Sequence, residues 1–161
     1  MIIRQATIND LDAITEVERV CFLPLEAAPR ESFEKRLRAF SDSFLVAEVD
    51  GDIIGFVNGC VTNDKVICDE MFKDTSYHDK DGDYQAIFGF AVIPEYRGKG
   101  VAQGLMKEII ELTRKRGKVG LTLTCKEERI GYYGEYGYEK LGVSESCHGG
   151  AVWYDMILIL S

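Results

Sequence analysis

The chain has 161 residues, 46% hydrophobic and 29% charged, the size and balance of one globular domain with a real core. Nineteen basic against 27 acidic side chains leave a net charge of −8, which argues against a general nucleic-acid binder with its basic face. No run nears the roughly 20 apolar residues of a membrane span, and Met1-Ile-Ile-Arg-Gln5 lacks the features of a secretion signal, so a cytoplasmic location without a membrane partner is expected.

Ile2–Gln5 reads as a short first strand. Thr7-Ile-Asn-Asp10 then resembles a capping box with aspartate in the glutamate position, and Leu11, Ile14, Val17 and Cys21 follow at helical spacing. Pro24 and Pro29 bracket a loop before a second helix predicted over Ser32–Phe40. Phe44–Val49 and Ile53–Val61 flank Asp50-Gly51, a strong hairpin signal. The segment from Asp64 to Asp83 is acidic, too polar and irregular for core, and long loops of this kind often border a site. A fourth strand is predicted over Tyr84–Val92, its internal glycine marking a bulge. A long helix follows from about Gly100 to Arg116, then a strand over Gly120–Thr124 and a short helix over Arg129–Tyr136. Strands over Tyr138–Val143 and Ala151–Ile159 close the chain. A hairpin followed by a strand–helix–strand crossover implies one mixed central sheet, an α/β (α+β) fold in a single domain over residues 1–161.

The five cysteines (Cys21, Cys60, Cys68, Cys125 and Cys147) show no CxxC spacing, and the histidines are only His78 and His148. Free thiols and no metal are expected. Basic residues concentrate between Arg97 and Lys118, opposite in sign to the acidic stretch before them. One stretch suits an anion and the other a cation, and either also serves as plain solvated surface.

The most informative segment joins the fourth strand to the long helix: Val92-Ile-Pro-Glu-Tyr-Arg-Gly-Lys-Gly-Val-Ala-Gln-Gly-Leu105. Its glycines let backbone approach a ligand, and a helix start offers unpaired N–H groups and a positive dipole end, a combination that cradles phosphate. It is neither a P-loop nor a dinucleotide GxGxxG turn.

Arg97-Gly98-Lys99-Gly100-Val101-Ala102 fits Arg/Gln-x-x-Gly-x-Gly/Ala, the pyrophosphate-binding motif of the GNAT N-acetyltransferase superfamily. About 30 residues on, Cys125–Gly142 resembles that superfamily's second hallmark, a short helix before a Gly-aromatic turn into a strand. Cys21–Ala28, Asp42–Glu48 and Gly149–Met156 are most similar to the arylalkylamine N-acetyltransferase group and its bacterial relatives. The resemblance implies a GNAT fold with a sheet of about seven strands and about four flanking helices. It also implies acetyl transfer from acetyl-CoA to an amine by direct attack, with no metal and no acyl-enzyme.

By the same resemblance, main-chain groups of Phe90, Ala91 and Val92 would hold the pantetheine arm, and Arg97, Gly98, Lys99, Gly100, Val101 and Ala102 the pyrophosphate. The basic end of the long helix would suit the adenosine 3′-phosphate. Tyr133 stands where the family tyrosine protonates the CoA thiolate. The paired histidines of the vertebrate arylalkylamine enzymes are Ala86 and Phe88 here, and neither accepts a proton. Glu26, in the loop between the first two helices, is the first alternative, to hold an ammonium group or relay its proton, and His148 the second. The expected acceptor is a small primary amine, an arylalkylamine or a polyamine, for a protein that is a monomer or homodimer. Acetylation of a protein N-terminus or lysine, or non-catalytic acyl-CoA sensing, are the alternatives.

Overall fold

The computed structural model of the protein describes residues 1–146 and 148–161, so Cys147 lies outside the described residues. Strand β1 (Ile2–Gln5) leads into helix α1 (Leu11–Cys21) through a turn clamped by charge. Arg4 donates to both Asp10 carboxylate oxygens at 2.9 Å and to Glu48 at 3.0 Å, and Thr7 N–H donates to Asp10 Oδ2 at 2.8 Å. The Thr7–Asp10 box forms as expected, although its first turn, Ile8–Asp10, is a 3-10 turn. The Arg4 guanidinium holds the Asp10 carboxyl below the usual carboxylate range.

Helix α2 (Arg30–Phe40) packs beside α1, and β2 (Phe44–Val49) and β3 (Asp52–Asn58) form the predicted hairpin. The long runs predicted on either side of the acidic segment each break in two. The first gives β3 and a two-residue β4 (Val61–Thr62), and the second gives β5 (Tyr84–Ile87) and β6 (Gly89–Val92). At the first break Gly59 presses so closely on β5 that a Cβ there would lie 1.8 Å from the Ala86 carbonyl oxygen, which restricts the position to glycine. At the second, Phe88 N–H donates to Asn58 O while Gly89 pairs with Asn58, so two residues oppose one in a bulge. Helix α3 (Val101–Lys115), β7 (Gly120–Cys125), α4 (Ile130–Gly134), β8 (Glu139–Val143) and β9 (Tyr154–Ile159) complete the chain.

These breaks revise the expectation of one continuous sheet. The strands form a four-stranded sheet in the order β1-β2-β3-β6 and a five-stranded sheet in the order β4-β5-β7-β9-β8. β5 runs parallel to β7 as far as Ile87 opposite Leu123. Beyond that pair β6 follows β3 and β7 follows β9, so the two strands part like the arms of a V.

Leu105, Met106 and Ile109 of α3 are fully buried against Leu45, Val57, Leu121 and Leu123. Each such side chain contributes about 2 kcal/mol of burial. Under α1 and α2, Phe33, Phe44 and Phe56 meet with ring centroids 5.6–6.3 Å apart. The acidic segment is not all loop surface as expected. Ile67 and Met71 are buried with Phe40, Cys60 and Ala86, which anchors the segment across the second sheet.

Candidate active site

Two cavities of about 630 Å³ each open at the V and share Phe22, Glu26, Phe90, Thr124, Tyr133 and Trp153 in their walls. The first runs from β6 to the start of α3. It is lined by Phe90, Ala91, Val92, Arg97, Gly98, Gly100, Val101 and Ala102, all residues expected to hold the donor. Lys99 does not line it, because its ammonium lies over the Tyr96 ring at 5.3 Å.

Local backbone chemistry explains why this cavity suits a long ligand ending in phosphate. Ile93 N–H donates to Ile54 O, and antiparallel alternation from that bond turns the main chain of Ala91 toward Phe56. The main chains of Phe90 and Val92 therefore face the V. Val92 O is already occupied by Arg97 Nε at 2.9 Å and Cys21 Sγ at 3.4 Å, so Phe90 supplies both an N–H and a carbonyl and Val92 an N–H. The expectation for Ala91 is corrected accordingly: it lines the cavity with its residue surface, but its backbone pairs within the sheet.

Gly100 caps α3 in the left-handed conformation, φ +85°, with open space where a Cβ would stand. Gly104 N–H closes the first turn onto Gly100 O at 3.0 Å, leaving the N–H groups of Val101, Ala102 and Gln103 without helical partners. No acidic residue sits in that first turn, whereas Arg114 and Lys115 occupy the last. The dipole's positive end is left for an anion. The basic helix end, expected to meet a 3′-phosphate, lies roughly 20 Å from this cradle along the 15-residue helix. Its residues have structural work: Arg116 donates to Asp42 O and Ser43 Oγ, and Lys118 to Lys80 O.

The second cavity lies between the α1–α2 loop, the acidic segment and the turn before β9. Its walls are rich in aromatic rings, with Phe72 and Phe88 added to the shared Phe22, Phe90 and Trp153. Of the acidic segment's carboxylates only Asp69 and Glu70 line it. Glu26 stands between the cavities, where its carboxylate accepts from Lys126 Nζ at 2.8 Å. His148 also lines the second cavity, stacked at 12° on Phe72 with ring centroids 6.3 Å apart.

Four tyrosines cluster around α4, and their hydroxyls separate them. Tyr132 and Tyr136 bond each other at 2.9 Å, and Tyr138 donates to Met106 Sδ at 3.5 Å. Tyr133 alone of the four has no hydroxyl partner among the described residues, and it alone lines both cavities. Burial raises its phenol above the usual value, so it stays protonated at any working pH.

Sequence reasoning missed Glu18 and Arg36, both buried and both lining the second cavity. Helical periodicity assigns Glu18 to the polar run beside Val17, and only the loop folding back over α1 buries it. Glu18 Oε2 accepts from Ala28 N–H at 2.8 Å, and burial raises its carboxyl above the ordinary value. Burial likewise raises the Cys125 thiol, to about 11, so this residue of the first cavity is not a thiolate at neutral pH.

The acetyltransferase (GNAT) family model matches residues 11–138. An acetyltransferase of Pectobacterium atrosepticum is 30% identical over 135 residues, covering 81% of this chain and 82% of its own. An N-acetyltransferase of Archaeoglobus fulgidus is 30% identical over 125 residues, covering 73% and 77%. In fold, the chain is similar to a GNAT-like decarboxylase solved with isobutyryl-CoA, at a TM-score of 0.86 and 18% identity over all of both chains. It is also similar to the ribosomal-protein-S18-alanine N-acetyltransferase of Escherichia coli, at 0.76 and 18% over 99% of this chain and 94% of that one. The open strand edge, the helix-start cradle and these relatives converge: the chain belongs to the acetyltransferase (GNAT) family and is an N-acetyltransferase that uses acetyl-CoA.

Proposed function

We propose that the protein acetylates a small primary amine within a ternary complex, with the donor in the first cavity and the amine in the second. The observation that carries this reading is the unpartnered Tyr133 hydroxyl at the junction of the two cavities. Acetyl-CoA, when bound, supplies the acetyl group as a thioester. Phe90 and Val92 hold its pantetheine arm by their main chain, and the α3 start with Arg97, Gly98, Gly100, Val101 and Ala102 takes the pyrophosphate. Lys99 adds long-range charge only.

A β6 N–H facing the carbonyl oxygen steadies the negative charge that develops there during attack. Tyr133 donates its proton to the departing sulfur, which its neutral phenol is fitted to do. An alkylammonium, with a pKa near 10, must first lose a proton. Glu26, already paired with Lys126, serves as an acceptor-side hydrogen-bond partner, and Glu18 takes the proton. Its raised pKa is the direction a general base needs.

The aromatic lining favours an amine with a ring or apolar body over a polyamine. A second reading, a peptide N-terminus, is favoured by Leu25, 89% exposed and lining the second cavity, with Leu23, 70% exposed, on the same α1–α2 loop. The test is CoA release from acetyl-CoA with tryptamine, phenethylamine, spermidine, a peptide and buffer alone. Saturable release with a small amine and none with the peptide supports the first reading. The reverse supports the second. Acetyl-CoA binding without release above buffer overturns both in favour of a sensor.

A further inference from the structure

Four buried side-chain atoms lack a hydrogen-bond partner among the described residues, and three of them are on residues that line the second cavity or bond to its lining. They are Glu18 Oε1, Arg36 Nε and Asn58 Nδ2, one acceptor and two donors. Glu18 and Arg36 line the cavity itself, and Asn58 is tied to Arg36 by an Arg36 Nη1–Asn58 Oδ1 bond of 3.2 Å.

Arg36 is only 3% exposed, with its guanidinium 5.2 Å and 5.4 Å from the ring centres of Phe33 and Phe88. Its remaining hydrogen bond runs to the Phe72 carbonyl at 3.0 Å, so both its acceptors are neutral. Among the described residues it has no ion pair. Burial lowers its pKa to about 10, which leaves it charged at neutral pH. A buried charge without a counter-ion is held at a large cost unless something neutralises it. The field of Glu18 reaches Arg36, yet the two share no ion pair. The other charged or titratable groups lining the cavity are Glu26, Asp69, Glu70, Lys73, Tyr133 and His148. None of them is bonded to Arg36. A guanidinium with a free Nε edge matches a carboxylate in fork geometry.

We propose that the acceptor carries a carboxylate as well as its primary amine, with Arg36, held in place by Asn58, receiving the carboxylate and Glu18 the ammonium group. This rests on the ternary-complex reading above and names its substrate class: amino acids with an apolar or aromatic body, rather than the corresponding simple amines. Cation and anion on one ligand would satisfy the orphan Arg36 donor and the orphan Glu18 acceptor at once.

The experiment measures kcat/KM for CoA release with α-amino acids and their decarboxylated amines, such as phenylalanine against phenethylamine, and with 4-aminobutyrate against butylamine. The wild-type protein is compared with Arg36→Met and Arg36→Lys, each checked for an acetyl-CoA-dependent rise in Tm. For at least one pair the carboxylated member should lead by on the order of 100-fold. Arg36→Met should bring that ratio near one, mainly through KM, and Arg36→Lys should keep part of it as a point charge without the fork. A wild-type ratio at or below one for every pair overturns the proposal while leaving the amine acetyltransferase reading intact. So does a ratio unchanged in a folded Arg36 variant. If Arg36→Met does not fold, the wild-type ratio and Arg36→Lys still decide. No release from any amine, with acetyl-CoA bound, overturns the acceptor reading and this proposal together.

Discussion

Replacing Tyr133 by phenylalanine removes one oxygen from a site where packing and chemistry can be separated. The ring sits 6.3 Å from Phe90, 5.1 Å from Tyr132 and 6.0 Å from Tyr138, and phenylalanine keeps all three contacts. The hydroxyl has no partner among the described residues to orphan, so stability should change by less than about 1 kcal/mol, within the range of a neutral hydrogen bond. Loss of a positioned general acid costs roughly 10²–10⁴-fold in rate, or about 3–5 kcal/mol on the barrier. The assay is thiol release under saturating acetyl-CoA and the best amine of the panel, with acetyl-CoA affinity measured separately by calorimetry. A fall in kcat of that size with unchanged Tm and donor affinity is expected. A fall of less than about threefold with binding intact refutes the proton-donor role.

Gly100→Ala forces a side chain into the left-handed conformation at the α3 cap. It should cost about 1–2 kcal/mol of stability. It should also weaken acetyl-CoA roughly tenfold, because the new Cβ enters the open approach to the cradle; a thermal melt and a titration check the two effects. Cys125→Ala should keep kcat within about threefold, since a thiol held near 11 is no nucleophile at neutral pH, and abolished turnover would instead point to an acyl-enzyme. Asp10→Asn should lower stability at pH 7 by about 1 kcal/mol. Because the folded Asp10 pKa is depressed, wild type holds this advantage above the ordinary carboxylate value, 3.8, and loses it as pH falls through the folded one. Urea unfolding at pH 7 and pH 3 should show the gap closing.

The local elements were legible in the sequence because they are written in short-range patterns. Asp50-Gly51 between two β-rich runs forms its hairpin, and Gly98, Gly100 and most of the motif around them stand together along the first cavity. What periodicity could not show is where a run of good strand residues stops pairing. Tyr84–Val92 reads as one strand, yet it changes sheets at Phe88 because Asn58 on another strand accepts the Phe88 N–H. The acceptor side is still less legible. Glu18 and Arg36 occupy unremarkable positions on amphipathic helices, and they meet only because α1, α2 and the acidic segment close over one space. Glu26 was visible in its loop, but its ion pair with Lys126 spans 100 residues and has no sequence signature.

The divergence of β6 and β7 also makes fold integrity answerable to the donor's concentration. Up to the last rung, at Ile87 and Leu123, β5 and β7 pair within the second sheet; above it β6 belongs to the first sheet, and among the described residues no ladder joins it to β7. On the binding mode proposed above, a donor lying in the V would complete the missing rungs on β6 while its phosphates closed the start of α3, and so would act as a removable splint between the halves. By mass action, donor at 100 times its Kd adds about 2.7 kcal/mol to unfolding. Amides of Phe90, Val92 and the first α3 turn should then exchange with solvent fastest in cells starved of acetyl-CoA, which would make the chain's lifetime, as well as its turnover, a readout of acetyl supply.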